Sequence, residues 1–418
     1  MQSDEMRALG AVGGASMARF GTLARGIHSA AAERIFGMLG PVGAPVRVMH
    51  DGISSLAYGS VAMSLRTVPR AAGTMLASTV PAGAQRLADS PGGSIALGAL
   101  NGMYGDAIAR DAAALALDLT VRRGGREVQT DTAGLTAAYP DASPRLAVFV
   151  HGLCETEQAW DLTPFAAQER ARHSYGRRLR DDLGYTPVYV RYNTGLHISD
   201  NGRRLAEVLE HLTRGWPQPV EEIVLVGHSM GGLVARSACH YAEGADSDWG
   251  RAVRHVFCLG TPHLGAPLER AANRAGWALG RLPETRPFAD LVNARSAGIK
   301  DLRFGSCVEA DWCDCDPDEY LRDRCTEVPF LGCATYYFIG ATLSQNPDSR
   351  LGDLLVQYVS ASGNGPSRRI PFEAENGRHL AGANHLQLLN HPAVYEQMRA
   401  WLERAPRALA QSSVLPLA

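Results

Sequence analysis

Glu222-Ile223-Val224-Leu225-Val226-Gly227-His228-Ser229-Met230-Gly231-Gly232 is the stretch on which the fold turns. An apolar, β-branched run enters a G-x-S-x-G turn and passes directly into Leu233-Val234-Ala235, which reads as strand, sharp turn and helix. Such a turn strains the serine backbone and crowds the chain two residues to either side, so glycine at 227 and 231 avoids a Cβ clash. G-x-S-x-G by itself is common. The strand before it and the helix after it make it a nucleophile elbow, with Ser229 expected at the rim of a sheet.

Outward from the elbow the pattern is regular. Buried-type strands at Leu146–Val150, Val188–Tyr192, Ile223–Val226, Val256–Leu259 and Tyr336–Ile339 alternate with helix-like segments, as a parallel sheet with helices on both faces requires. Leu205, Val208, Leu209, Leu212 and Trp216 fall on one helical face, with a cap expected at Ser199 to Asn201. A last helix starts near Pro392 and carries Val394, Met398, Trp401 and Leu402. Alternation at Leu115, Leu117, Leu119 and Val121, interrupted by Gly124-Gly125 before Glu127, predicts a hairpin opening the main domain. That domain spans residues 112–405, with a long insertion at 265–333 expected to act as a lid after the sixth strand, and a frayed tail at 406–418.

Residues 1–111 are rich in Ala, Gly and Met. Small-residue stretches such as Ala71-Ala72-Gly73 and Pro91-Gly92-Gly93 predict several short helices, including one over Ile53 to Leu65. A helical layer packed on the main domain is preferred to a membrane-apposed cap, because a basic polar face is not evident.

Composition narrows the function. A formal net charge of −2 gives no pull toward nucleic acid, so no nucleic-acid partner is expected. Asp4 and Glu5 stand where a signal peptide would be basic, and no run of eighteen apolar residues occurs, so a cytoplasmic protein without a transmembrane segment is expected, peripheral membrane contact being compatible. Five of the eight cysteines, Cys307, Cys313, Cys315, Cys325 and Cys333, fall in the insertion among aspartates. Without a second close pair or histidines at ligand spacing they make no zinc signature, and reduced thiols are preferred to disulfides or metal. No metal or cofactor is expected. Cys154 is read as packing beside the site.

A serine nucleophile needs a base, an acid to orient the base, and donors for the oxyanion. The first strand runs into Val150-His151-Gly152-Leu153, a turn whose amide can face the nucleophile; the N–H groups of Leu153 and Met230 are expected to form the oxyanion hole. For the acid, Asp353 in Leu351-Gly352-Asp353-Leu354-Leu355-Val356 is followed by apolar residues that could seat a desolvated carboxylate, whereas Asp348 lies between Pro347 and Ser349 as in a solvated turn. For the base, His385 lies in a loop just before the last helix; His379 and His391 are the competitors, the latter beside Pro392 as a capping residue. The chain order is then Ser229, Asp353, His385.

Gly227-His228-Ser229-Met230-Gly231-Gly232, Leu259-Gly260-Thr261-Pro262-His263-Leu264-Gly265-Ala266-Pro267, and Gly352-Asp353 before Leu355-Val356 resemble the α/β-hydrolase superfamily. Within it they are most similar to lipase-like serine esterases of the GPI-inositol-deacylase (PGAP1-like) group. The resemblance covers roughly residues 112 to 405 and does not reach the first hundred. It implies an α/β-hydrolase fold, triad roles for Ser229, Asp353 and His385, and a pocket wall or supporting shell from His151, Gly152, His228, Thr261 and His263. Leu354 departs from it, since many relatives carry glycine there in a G-D-G-x-V pattern. The expected activity is cleavage of a carboxylic ester, lipophilic or lipid-like, through an acyl-enzyme. An acyltransferase or thioesterase on the same triad, or a non-catalytic binding protein derived from a hydrolase, are the alternatives.

Overall fold

The computed structural model describes residues 1–40, 44–162, 174–243 and 247–404. The expected tail at 406–418 lies outside them. In chain order come helices α1 (Ser3–Leu39), α2 (Ala44–Ala77) and α3 (Pro91–Asp111), strands β1 (Thr120–Arg123) and β2 (Arg126–Val128), and α4 (Thr132–Ala138). Then follow β3 (Arg145–Val150), α5 (Tyr175–Leu183), β4 (Thr186–Arg191), α6 (Ile198–Gly215), β5 (Glu222–His228), α7 (Met230–Glu243), α8 (Asp248–Ala252) and β6 (Val253–Leu259). The remainder is α9 (Pro267–Leu279), α10 (Arg286–Asn293), α11 (Ala297–Asp301), β7 (Thr335–Thr342), α12 (Tyr358–Ala361), β8 (Gly377–Ala381) and α13 (Pro392–Leu402).

One eight-stranded sheet has the order β2-β1-β4-β3-β5-β6-β7-β8. The β1–β2 and β1–β4 pairs are antiparallel, and every pairing from β4 to β8 is parallel. The central strands carry unbroken apolar runs, Leu146–Val150 and Ile223–Val226 among them, because both faces are covered. Leu146, Val148, Val188, Ile223 and Leu225 meet α6 and α7 on one face, while Phe149, Val224, Val226, Phe257 and Tyr337 meet Leu179, Tyr395 and Trp401 on the other. This is the α/β-hydrolase arrangement, with the insertion after the sixth strand.

The expected hairpin is present but shorter than the alternation implied, since a 3₁₀ turn occupies Ala113–Leu115 and β1 begins at Thr120. The strand before the last helix is Gly377–Ala381, and Arg369–Phe372 contributes only an isolated bridge from Arg369 to Asn364. The cap of α6 is His197 instead of the Ser199 to Asn201 group.

The N-terminal region corrects the expectation of several short helices. α1 and α2 have 37 and 34 residues and run against each other as a hairpin. The glycines that the sequence suggests as helix breakers here permit close approach. A Cβ on Gly10 would lie 2.5 Å from the Pro69 carbonyl, and one on Gly73 would lie 3.0 Å from Gly10 Cα. α1 reaches the insertion through the Arg34–Glu284 ion pair, 2.8 Å, and its start joins a small cluster with α3.

Candidate active site

Parallel α/β sheets gather function at the carboxyl ends of their strands. Here the loops after β3, β5, β6, β7 and β8 share one edge. Val150 pairs with Gly227 and His228 with Leu259, so the turn after β3 and the Gly260–Gly265 loop flank the elbow.

Ser229 sits at the junction of β5 and α7 with φ +53°, in the left-handed region that a side chain enters at a cost. Its N–H is tied to the Leu259 carbonyl at 2.8 Å, and its own carbonyl accepts from Gly232 N–H at 3.1 Å. A Cβ on Gly227 would stand 2.5 Å from Gly232 Cα, and one on Gly231 would stand 2.5 Å from the His151 carbonyl oxygen. The glycines at these positions are therefore a packing requirement, as the sequence implied.

The acid and base candidates meet. His385 Nδ1 lies 2.7 Å from Asp353 Oδ2, and both residues are buried. The second Asp353 oxygen accepts from the N–H groups of Leu355 at 3.0 Å and Val356 at 2.7 Å, while the Asp353 carbonyl accepts from His385 N–H at 3.0 Å. The carboxylate is thus anchored before it touches the imidazole. His385 Nε2 is buried and has no hydrogen-bond partner among the described residues, and no hydrogen bond joins it to the Ser229 hydroxyl. The competitors have other occupations. Asp348 is exposed in a turn, His379 on β8 bonds Thr342 Oγ1 at 2.7 Å, and His391 caps α13 by accepting from Ala393 N–H.

The turn after β3 closes with Glu155 N–H donating to the Gly152 carbonyl at 3.2 Å, which leaves Leu153 at its crest and Cys154 at φ +62°. Among the described residues the N–H groups of Leu153 and Met230 donate to no protein acceptor. Met230 also opens α7, where the helix presents its positive end.

Sequence reasoning missed Glu155. Its carboxylate accepts from Gly152 N–H at 2.6 Å and lies 3.1 Å from His228 Nδ1, while His228 Nε2 donates to the His385 carbonyl at 3.2 Å. One buried imidazole therefore connects the β3 turn, the elbow and the base loop. Burial acts to raise the Glu155 carboxyl, but the His228 charge and the hydrogen bonds overcome it and hold it at about 2. Burial acts to lower His228, and Glu155 outweighs it, so the imidazole titrates above its ordinary value. An acid three residues beyond Gly152, with a histidine inside the elbow, was the available signal.

The other expected supporting residues are near but turned elsewhere. His151 is buried, stacked on Tyr192 with ring centres 4.4 Å apart, and burial lowers its pKa. Thr261 packs against the start of α7 beside Gly232. His263 is buried with Nδ1 accepting from Arg236 at 3.1 Å; burial first, then the Arg236 and Arg368 charges, keep it neutral, well below the ordinary imidazole range.

Two further elements frame the site. Packing of α3 on the turn after β3 is close: a Cβ on Gly102 would lie 2.9 Å from Cys154 Cα, and one on Gly98 would lie 2.9 Å from the Thr156 methyl. Between β6 and β7, the insertion is locked by buried Glu269, which receives Arg295 at 2.6 Å and Arg303 at 3.0 Å. It docks on α6 where Trp312 stacks on His197 at 3.7 Å, and on α3 where Ser296 Oγ donates to the Gly102 carbonyl at 2.6 Å. All eight thiols are unpaired, and among the described residues no three His, Cys, Asp or Glu side chains are grouped as metal ligands.

Residues 145–313 match the model of the PGAP1-like alpha/beta domain family. No curated protein matches the chain in sequence. Among solved structures, a lipase of Bacillus licheniformis in its mature form is 21% identical over 62% of this chain and 94% of its own, with a TM-score of 0.38. EstA from Clostridium botulinum is 14% identical over 64% and 89% of the two chains, TM-score 0.37. Esterase B from Lactobacillus rhamnosis is 12% identical over 62% and 76%, TM-score 0.35.

Proposed function

We propose, from the match of residues 145–313 to the PGAP1-like alpha/beta domain and from the strand order, that this chain is a lipase-like α/β-hydrolase that cleaves carboxylic esters through Ser229. The observation carrying the reading is the buried His385–Asp353 pair, 2.7 Å apart, whose outer nitrogen is left without a partner on the same sheet edge as a serine at positive φ. His385 Nε2 takes the Ser229 proton as Oγ attacks the ester carbonyl, and the Leu153 and Met230 N–H groups receive the oxyanion. His385 returns the proton to the departing alcohol. It then deprotonates a water that releases the acid from the acyl-enzyme. Asp353 holds Nδ1–H throughout. A serine-to-base hydrogen bond absent in the free protein is compatible with this, because such contacts tighten on substrate binding.

For the substrate we favour lipophilic or lipid-like esters. Leu354 and Leu355 follow the acid, Leu386 follows the base, and all three are exposed. Leu268, Trp277, Leu282, Phe288 and Leu291 of the insertion are exposed as well, which suits a lid over an apolar acyl chain.

A fluorophosphonate probe should label the wild type and leave Ser229→Ala unlabelled. A p-nitrophenyl ester series should then show turnover rising with acyl length. Equal hydrolysis by Ser229→Ala would defeat the serine mechanism, and strict preference for acetyl esters would defeat the lipophilic reading alone.

A further inference from the structure

The hairpin of α1 and α2 is unexplained by ester hydrolysis. Its inner seam is closed by Gly10 against Pro69, Gly21 against Leu65, and His28 against Tyr58. On α2 the residues Val46, Met49, Ile53, Leu56 and Met63 recur at spacings of three, four or seven, which sets them on one face. All five are exposed, Leu56 by 77% and Met63 by 67%, and Val61, Val68 and Met75 widen the stripe. Met17, Phe20, Ile35 and Met38 are exposed on α1. Monomers rarely leave so much contiguous apolar surface in water.

The charge beside it has one sign. Residues 1–77 contain seven arginines against four carboxylates, net +3, in a chain whose total is −2. All seven arginines are exposed. Arg47 pairs with Asp51 and Arg34 with Glu284; among the described residues Arg7, Arg19, Arg25, Arg66 and Arg70 have no carboxylate partner. Of the four acids, Glu5 is buried and occupied with the Leu87 N–H. A second copy of the hairpin would bring arginine to arginine. The positions flanking the stripe, His50, Gly52, Ala57, Gly59, Ser64 and Arg66, also lack the opposite charges that pair coiled-coil seams. Among the described residues no helix is apolar and long enough to cross a membrane.

We propose that the α1–α2 hairpin lies on an anionic lipid surface, with the exposed apolar faces sunk into the headgroup boundary and the unpaired arginines meeting lipid phosphates. The hairpin joins the body through α3, which borders the turn after β3, and through the insertion, which packs on α3, so docking would hold the site next to lipid. The docking does not require the ester-hydrolase reading to be correct.

Flotation of the full chain with vesicles tests it. The wild type should float with phosphatidylglycerol vesicles at about 0.1 M salt, at least tenfold less with phosphatidylcholine, and should detach as salt is raised to about 1 M. Ile53→Asp with Leu56→Asp should cut the bound fraction at least tenfold, and Arg66→Glu with Arg70→Glu severalfold, each with unchanged circular dichroism and unchanged hydrolysis of a soluble ester. Ser229→Ala should float like the wild type, so loss of activity and loss of docking are separable. Failure to float with either lipid, equal binding to both, or undiminished binding by the Ile53, Leu56 variant would overturn the proposal. A dimer abolished by that variant, in a protein that does not float, would assign the stripe to a second copy and overturn it equally.

Discussion

At Ser229 and Leu354 the chain accepts positive φ without glycine, and the two cases differ in reason. Ser229, at φ +53°, is held there by hydrogen bonds to the Leu259 carbonyl and from the Gly232 N–H, at the sharp turn between β5 and α7. Replacing it by alanine should lower ester turnover by roughly 10⁶, and Asp353→Asn by roughly 10⁴, because the amide would reverse the hydrogen bond that fixes the His385 tautomer. Steady-state kinetics on a soluble ester checks both. Leu354, at φ +88°, is the position where relatives often carry glycine, and the turn between Asp353 N–H and the Val356 carbonyl explains that preference. Its side chain is exposed, so removing it sacrifices little packing. Leu354→Gly should relieve the strain and raise the thermal midpoint by the equivalent of roughly 1 kcal/mol, after the entropic cost of glycine. A lowered midpoint would mean that the leucine is contributing apolar contacts instead.

Among the elements, α3 packs most closely on the turn proposed to hold the oxyanion. Its glycines at 98 and 102 let that turn approach the helix backbone. Gly102→Val would press on Cys154 and displace the neighbouring Leu153 N–H, so kcat should fall roughly tenfold to a hundredfold with little change in KM, since small displacements of positioned groups are costly. An unchanged kcat would dissociate α3 from the turn. The same helix marks what sequence could reveal. The central strands were legible because burial on both faces leaves unbroken apolar runs such as Leu146–Val150. β8 was not, because Gly377-Arg378-His379-Leu380-Ala381 is a partly exposed edge strand without that signature. The long hairpin was hidden for a different reason: Gly10, Gly14 and Gly73 serve contact between helices, a use that cannot be told from helix breaking without knowing the partner. Ser229, Asp353 and His385 could be singled out by motif and chain order, whereas Glu155, three residues beyond Gly152, gains its role only through a histidine 73 residues away.

Over the whole molecule, Glu155 and His228 join segments that are distant in the chain but adjacent at the sheet edge. Gly152 belongs to the turn after β3, His228 ends β5, and the His385 carbonyl lies beyond β8. The pair should therefore set how stability and geometry respond to pH. The Glu155 carboxyl is depressed from an ordinary 4.5 to about 2, so its stabilising contribution is complete above the unfolded value and disappears as pH falls through the folded one. The sign is opposite for His228, whose pKa is raised: its contribution is complete below the ordinary imidazole value and is lost as pH rises through the folded value. Wild type should consequently exceed Glu155→Gln in stability by up to ~3 kcal/mol between these limits. The excess should shrink from about pH 4.5 downward, vanish near 2, and shrink again as pH rises past the ordinary imidazole value and through the raised one of His228. Denaturant unfolding of both proteins across pH measures the difference. Glu155→Gln should also slow fluorophosphonate labelling of Ser229, because the Gly152 amide and the His385 loop lose a common anchor. A difference that is flat with pH would mean that the two residues are hydrogen-bonded as neutral groups, and the link between the oxyanion turn and the base loop would then be steric instead of electrostatic.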